Sequence, residues 1–300
     1  MNRKIISIFA IFTLILVIPT ANAQLTIGSD VKQELIEVKI NDKGEVDVKH
    51  IVKASNMPGT LHLFSGTISN LVVTNEMGEE KESGIANDGL GNQSVFVLPS
   101  KENSIIKYNL ENIILKDNLF STQISYAEKF SIIFDDQIEM IFVNNNVIWL
   151  ENKKGISVNG GGEINVEFYS NSPKMIKEVQ WEENKFDVEI ITDSKIENFN
   201  FDQTSKSISF EVNEENKHLT ISMSEELLGG PYVILLNTEK IQYTKSEIDG
   251  YVTLSMKPEL TGEITIIGTT VIPEFSMFIP LIMGFLIILT VPFVKKINLH

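Results

Sequence analysis

Histidine is the side chain best suited to acid–base or metal chemistry near neutral pH, and this 300-residue chain has four of them, His50, His62, His218 and His300. His50 shares the apolar side of a predicted strand with three valines, so we expect a packing role for it. His218 follows the charged stretch at 214–217, which predicts a solvated side chain. No H-x-H or HExxH spacing occurs, so the sequence predicts no metal-binding residues and no catalytic residues.

Other catalytic groups are equally sparse in the sequence. The chain has no cysteine, which excludes thiol catalysis, thiolate metal sites and disulfides. No serine lies in a G-x-S-x-G elbow. Adjacent acidic pairs such as Glu182-Glu183 point to opposite faces of a strand and form no dyad by themselves. A hydrolase that uses two carboxylates from distant segments remains an alternative.

Calcium is the one cation that the sequence leaves open, and no other cofactor is predicted. The oxygen-rich turns at 41–44 and 87–89 offer ligands that suit a hard cation outside a cell. Neither turn matches a twelve-residue calcium loop, and ordinary turn chemistry explains both of them. A cation-dependent surface-layer component is therefore a second alternative.

The charge balance excludes one large class of partners. The formal net charge is −15, and Arg3 is the only arginine. Nucleic-acid binding needs a basic face that neutralises phosphates, so we predict no nucleic-acid partner.

The first 23 residues have the pattern of a secretory signal peptide. Arg3 and Lys4 precede an apolar run from Ile5 to Ile18, and Ala21 and Ala23 form an A-x-A cleavage signal. We expect the mature chain to begin at Gln24. An uncleaved N-terminal anchor is the alternative.

A second apolar run, residues 278–294, lies near the C-terminus and has no charge. Its length is close to the short limit of roughly 17 residues for a membrane helix, so we expect it to contact membrane lipid. Lys295 and Lys296 follow at once, which predicts a cytoplasmic C-terminus and an external ectodomain. A buried core helix would need a polar face that this run lacks.

Period-2 alternation of apolar and polar residues dominates the stretch between the two ends and predicts an all-β fold. Strands at 36–40 and 46–52 flank a turn at 41–44, and seven short strands follow residue 173. The polar stretch Ser170–Pro173 predicts a boundary between an outer β domain, 24–170, and an immunoglobulin-like β-sandwich, 171–272. Residues 273–300 then form the anchor region.

Pro273, Glu274 and Phe275 precede the apolar span and its lysines, and this arrangement resembles the PEF-type C-terminal anchors of archaeal surface proteins. The resemblance implies recognition of the tail by an archaeosortase-like enzyme. Ser276 stands where the thaumarchaeal form has glycine, so retention or processing of the span stays open. The segments 198–202, 207–210 and 227–232 also look like a β-sandwich module that precedes such tails, which implies location and architecture but no activity.

These features together predict a single-pass protein of the cell membrane with an extracellular β ectodomain. We expect a structural or binding role at the cell surface, with cell-surface or surface-layer partners, and no enzymatic activity. The carboxylate-based hydrolase and the cation-dependent surface-layer component stay as the alternatives.

Overall fold

The computed structural model describes residues 29–87, 92–150, 154–181 and 183–268, and over these ranges the protein is all-β. Within them the strands in chain order are β1 (Ser29–Asp30), β2 (Gln33–Ile40), β3 (Val46–Val52), β4 (Gly59–His62), β5 (Thr67–Thr74), β6 (Ser83–Asn87), β7 (Gln93–Val97), β8 (Ser104–Glu111), β9 (Ile114–Lys116), β10 (Leu119–Ser125), β11 (Phe130–Phe134), β12 (Met140–Val143), β13 (Asn146–Trp149), β14 (Gly155–Val158), β15 (Glu163–Tyr169), β16 (Lys174–Trp181), β17 (Asn184–Ile191), β18 (Ile196–Asp202), β19 (Ser207–Val212), β20 (Leu219–Ser224), β21 (Val233–Leu236), β22 (Glu239–Lys240), β23 (Thr244–Ile248), β24 (Tyr251–Met256) and β25 (Gly262–Ile267).

In the described part of the chain these strands form five sheets. Their strand orders are β1-β4-β7-β6, β13-β12-β15-β10-β9, β14-β11-β2-β3-β8-β5, β16-β17-β20-β24-β23 and β18-β19-β25-β21-β22. Antiparallel pairing dominates, but β1 pairs with β4 in parallel and β2 pairs with β11 in parallel. The all-β fold that the alternation predicts is confirmed.

The chain divides into two compact units. Within the described ranges, the first unit comprises residues 29–35, 49–65 and 71–107, and the second unit comprises 36–48, 66–70 and 108–268. The predicted boundary at Ser170–Pro173 lies inside the second unit and stays a prediction.

Buried side chains of β4, β7 and the nearby segments form the core of the first unit. Leu61 of β4 and Val95 of β7 are cross-strand partners, and both side chains are buried. Phe64 is buried beside the ring of His50, with 5.9 Å between the ring centroids. Burial of these apolar side chains supplies the main favourable free energy of folding for the unit.

The hairpin that joins β2 to β3 forms as the sequence predicts. Ile36, Val38 and Ile40 are buried on one side of β2. In the turn, the Asn41 side-chain oxygen accepts hydrogen bonds from the backbone N–H of Lys43 and Glu45, at 3.0 and 2.8 Å. Gly44 has a φ of 78°, and a Cβ atom at this position would lie 2.6 Å from ring carbons of Phe120. This position therefore requires glycine for both its conformation and its space.

Two sheets in the C-terminal part of the second unit share one hydrophobic core. The sheet that contains β20 and β24 contributes Ile221 and Leu254, and the sheet that contains β19 and β25 contributes Phe210 and Ile264, all buried in one cluster. All seven predicted strands of this region are present, with ends shifted by up to two residues. Three further strands, β18, β22 and β23, were not predicted.

A single turn follows β20. The backbone N–H of Leu228 donates to the carbonyl of Ser224 at 3.4 Å, and the Ser224 hydroxyl accepts from the N–H of Glu226 at 3.1 Å. The Ser224 side chain thus satisfies one backbone donor at the start of the turn.

The predicted membrane signals fall outside the described residues. This applies to the signal segment 1–23 with Ala21 and Ala23, to the anchor motif Pro273–Phe275, to the span 278–294, and to Lys295 and Lys296. Over the four described ranges, the structure contains no helix with the length and apolar character that a membrane crossing requires.

Candidate functional site

His218 is buried, and the prediction of a solvated side chain is wrong. Only 1% of the residue is exposed, and its ring stacks on that of Phe142 with 3.7 Å between centroids and 9° between planes. Phe142 lies on β12, 76 residues earlier in the chain. Residues 214–216 are exposed to solvent, but β12 covers the His218 imidazole. A contact between residues so far apart in the chain leaves no local pattern in the sequence.

Glu167 on β15 completes the site. The His218 Nε2–H donates to Glu167 Oε2 at 2.7 Å, and the Lys257 ammonium lies 3.3 Å from the same oxygen. Glu167 is only 8% exposed. We call Glu167, His218 and Lys257 the buried junction, because they join β15 to residues flanking β20 and β24.

The protonation states of the buried junction follow from its surroundings. The hydrogen bond from His218 holds the pKa of Glu167 below its usual range, although burial opposes this effect. Burial lowers the pKa of His218, and the hydrogen bond to Glu167 only partly offsets that effect. In the described part of the chain the His218 Nδ1 atom is buried without a hydrogen-bond partner, so a second ring proton would find no acceptor. At neutral pH the site therefore holds a carboxylate, a neutral imidazole and an ammonium.

A second polar group lies against the buried junction. Tyr169 is buried two residues beyond Glu167 on β15, and burial together with the nearby Asp193 and Glu167 charges raises the pKa of its hydroxyl. Burial also raises the pKa of the half-buried Asp193, an effect that the Lys217 ammonium opposes. Lys217 in turn bonds Asp117 at 3.0 Å.

Apolar side chains surround these polar groups. Met140, Phe142, Tyr169 and Ile191 form one buried cluster, with Trp149 packed against it. A carboxylate that is 8% exposed and a histidine that is 1% exposed cannot reach a substrate in this conformation. What the arrangement can do is hold two β elements in one register, because its directional contacts are satisfied in only one geometry.

The other predicted residues lie elsewhere in the fold. His50 is fully buried and bonds Gln33 at 2.6 Å, and burial lowers its pKa to about 4, which confirms the predicted packing role. His62 is exposed and lies 3.3 Å from Asp30. His300 is outside the described residues. No three acidic or histidine side chains gather in a metal-binding arrangement in the parts of the chain that the structure describes.

Sequence reasoning did not single out Glu167, Lys257, Asp193 or Lys217. The sequence carried no signal for Glu167. Apolar and polar residues alternate along β15 up to this position, so the pattern predicts a solvent-facing side chain. The structure instead buries every position from Val166 to Tyr169, and a buried acid requires a partner.

No protein-family model matches the chain, and no curated protein matches it. Among solved structures, the crystal structure of an aminopeptidase N family protein from Idiomarina loihiensis is similar over 51% of this chain and 32% of that one, with 9% identity and a TM-score of 0.33. The chain thus spans about a third of the length of that protein. A similarity this low supports no inference about fold or activity.

Proposed function

We propose that the protein is a membrane-anchored extracellular β protein with a structural or binding role at the cell surface. In this proposal residues 24–170 form an outer β domain, and residues 171–272 form an immunoglobulin-like sandwich that acts as a stalk. Residues 278–294 contact membrane lipid, and the basic C-terminus lies in the cytoplasm.

The buried junction is the observation that carries the stalk role. It binds β15, at the end of the proposed outer domain, to residues beside β20 and β24 of the proposed stalk. The hydrophobic cluster of Phe142, Tyr169 and Ile191 crosses the same boundary. A flexible linker would leave few contacts across the boundary, whereas this boundary contains the buried ring pair of Phe142 and His218 and the Glu167–Lys257 ion pair. Such a boundary suits a spacer that must hold a recognition surface away from the membrane.

The location rests on the sequence features at the two ends. The basic n-region with its A-x-A signal, the uncharged span and its flanking lysines each support export and anchoring. The absence of cysteine means that an exported chain of this kind depends on packing, not on disulfides, for its stability.

Fractionation of cells that express the full chain tests this proposal. We expect the full chain in the membrane fraction, accessible to protease added outside the cells. A matched variant that ends at residue 272 should leave the membrane fraction and appear in the medium. Recovery of both forms in the cytosol would refute the proposal.

One observation favours a second candidate, a carboxylate-based surface hydrolase. Burial raises the pKa of Asp193, and hydrogen bonding lowers the pKa of Glu167. The charges of both carboxylates help to raise the pKa of the Tyr169 hydroxyl. Carboxylates with pKa values moved in opposite directions are a common acid–base arrangement. The low exposure of Glu167 makes this candidate the weaker of the two, because substrate access would require the site to open.

Hydrolysis assays on glycoside and peptide substrates separate the two candidates. The hydrolase predicts turnover by the full chain that falls at least tenfold in both Asp193→Asn and Glu167→Gln. The exposed Glu163→Gln on the same strand is the matched control. No turnover, or turnover that survives both substitutions, would remove the hydrolase.

A further inference from the structure

The first unit contains a cavity of about 330 Å³. This volume falls within the range of small-molecule sites, roughly 300–1,000 Å³. Every residue that lines it belongs to the first unit. Val31, Pro58 and Val97 form part of an apolar wall, and Met57, 69% exposed, lies at the cavity as well.

The cavity carries unneutralised positive charge in a chain that is acidic overall. Lys32 and Lys53 line it, and the backbone N–H of Lys53 donates to the carbonyl of Lys32 at 2.9 Å. In the described part of the chain neither ammonium lies within 4 Å of a carboxylate. Asp30 is the one acid in the lining, and it pairs with His62 at 3.3 Å.

A third lysine, Lys81, bonds two residues of the cavity wall. The half-buried Lys81 ammonium donates to the hydroxyl oxygens of Ser100 and Ser104, at 2.8 and 3.0 Å, and both serines line the cavity. Over the described residues no carboxylate lies within 4 Å of this ammonium either. Among the described residues, the side-chain partners of the Lys81 ammonium are therefore the two neutral hydroxyl groups.

The Ser100 hydroxyl is left as a hydrogen-bond donor. The Ser100 oxygen accepts from Lys81 and also from the backbone N–H of Glu102, at 3.1 Å. A hydroxyl oxygen has two acceptor positions, so both are occupied and the O–H proton remains to be donated. In the described chain that proton has no acceptor, and the cavity wall therefore presents donors and positive charge together.

We infer that this cavity binds a small amphipathic anion. Its carboxylate or phosphate head would lie against Lys53 and the Ser100 and Ser104 hydroxyls, within the field of Lys81. Its apolar body would lie against Pro58 and Val97. The inference gives a ligand class to the binding role of the proposed function and rests on that role, but its test does not depend on where the protein is located.

Calorimetric titration of the full chain tests the inference with four probes that share one apolar tail. These probes are hexanoate, hexyl phosphate, hexanol and hexylammonium. We expect the two anions to bind saturably, with a dissociation constant below about 10 mM, and the alcohol and the cation to bind at least tenfold more weakly. The ratio of hexanoate to hexyl phosphate affinity then identifies which head group the site prefers.

Variants locate the binding in the cavity. Lys81→Gln should weaken anion binding at least tenfold, whereas Lys107→Gln, an exposed lysine on β8 in the same unit, should leave it unchanged. If Lys81→Gln does not fold, Lys53→Gln at the exposed lining position provides the same comparison. Equal binding of hexanol and hexanoate, unaltered binding in the lysine variants, or no saturable binding would each overturn the inference. None of these results would affect the fractionation test of the proposed function.

Discussion

Replacement of His218 by phenylalanine tests the buried junction most directly. Phenylalanine keeps an aromatic ring that can stack on Phe142, where the present centroid distance is 3.7 Å. It removes the Nε2–H that lies 2.7 Å from Glu167. The substitution therefore separates the hydrogen bond from the ring packing.

The expected loss follows from what remains around Glu167. A hydrogen bond to a charged group contributes about 1.5–3 kcal/mol. A buried charge left without any partner costs about 3–5 kcal/mol, but in His218→Phe the Lys257 ammonium stays 3.3 Å from Glu167. We therefore expect a loss of about 2–3 kcal/mol in the free energy of unfolding at pH 7. For a unit of this size that loss lowers Tm by about 5–10 °C.

The loss should depend on pH in a definite direction. Burial lowers the pKa of His218 in the folded protein, so the unfolded chain binds a proton first as the pH falls below about 6.5. The stabilisation by His218 is therefore complete above that pH and decreases below it. The difference in unfolding free energy between wild type and His218→Phe should be largest at pH 7.5 and smaller at pH 5.

The two tryptophans make the assay specific to this region. Trp149 packs against the cluster beside Phe142, and Trp181 packs against the core of the two C-terminal sheets. Urea unfolding of the full chain followed by their fluorescence reports both sides of the boundary. His62→Phe, at an exposed histidine, is the matched control. An unchanged midpoint in His218→Phe, or a loss that grows as the pH falls, would refute the reasoning.

Three further predictions concern other parts of the molecule. Burial lowers the pKa of His50 from about 6.5 to about 4, so the first unit should lose about 3 kcal/mol of stability as the pH falls between those values. In urea unfolding, His50→Gln should make the unfolding free energy less dependent on pH over this range. The same pH dependence in the wild type and the variant would contradict this prediction. Gly44→Ala should lower the free energy of unfolding by about 1–3 kcal/mol because its Cβ would overlap the ring of Phe120. Gly161→Ala, at a similar φ but with no atom within 4 Å of the added Cβ, should lower it less. Equal losses of stability in thermal unfolding would argue against the overlap. Calcium should leave Tm unchanged relative to sodium at equal ionic strength, because the Asn41 side-chain oxygen in the turn at 41–44 already accepts two backbone hydrogen bonds. A saturable rise of Tm with calcium concentration would instead support the cation-dependent surface-layer component.

Alternation of apolar and polar residues predicts strands that bury one face, and it does so reliably here. β2 buries every second side chain from Ile36 to Ile40, and β11 does so along its whole length. The predicted strand at 36–40 matches the end of β2 but begins three residues after its observed start at Gln33. β6 and β9 bury nothing, so they carry no such pattern and were not predicted. Their place in the sheets depends on backbone hydrogen bonds to a neighbouring strand, which every residue type except proline can both donate and accept.

The candidate site was less accessible to sequence reasoning than the fold. His218 and Glu167 are 51 residues apart, and neither lies in a recognisable motif. Each residue alone has an ordinary interpretation, a solvated histidine in a charged stretch and an acid on a strand. Their meeting depends on the pairing of β12 with β15 and on the packing of that sheet against residues beside β20. A single sequence does not encode such pairings in its local pattern.

The parallel pairing of β2 with β11 has a consequence for the order of folding. Glu37 pairs with Ser131, 94 residues later in the chain. Ribosomes add roughly 5–20 residues per second, so β11 is synthesised roughly 5–20 s after β2. One edge of β2 has no partner strand during that time. During that interval an edge beside the apolar residues Ile36, Val38 and Ile40 is open to pairing with other chains. Production of this protein should therefore benefit from a chaperone that protects the nascent N-terminal hairpin, and yield should fall more steeply with expression rate than stability alone would suggest.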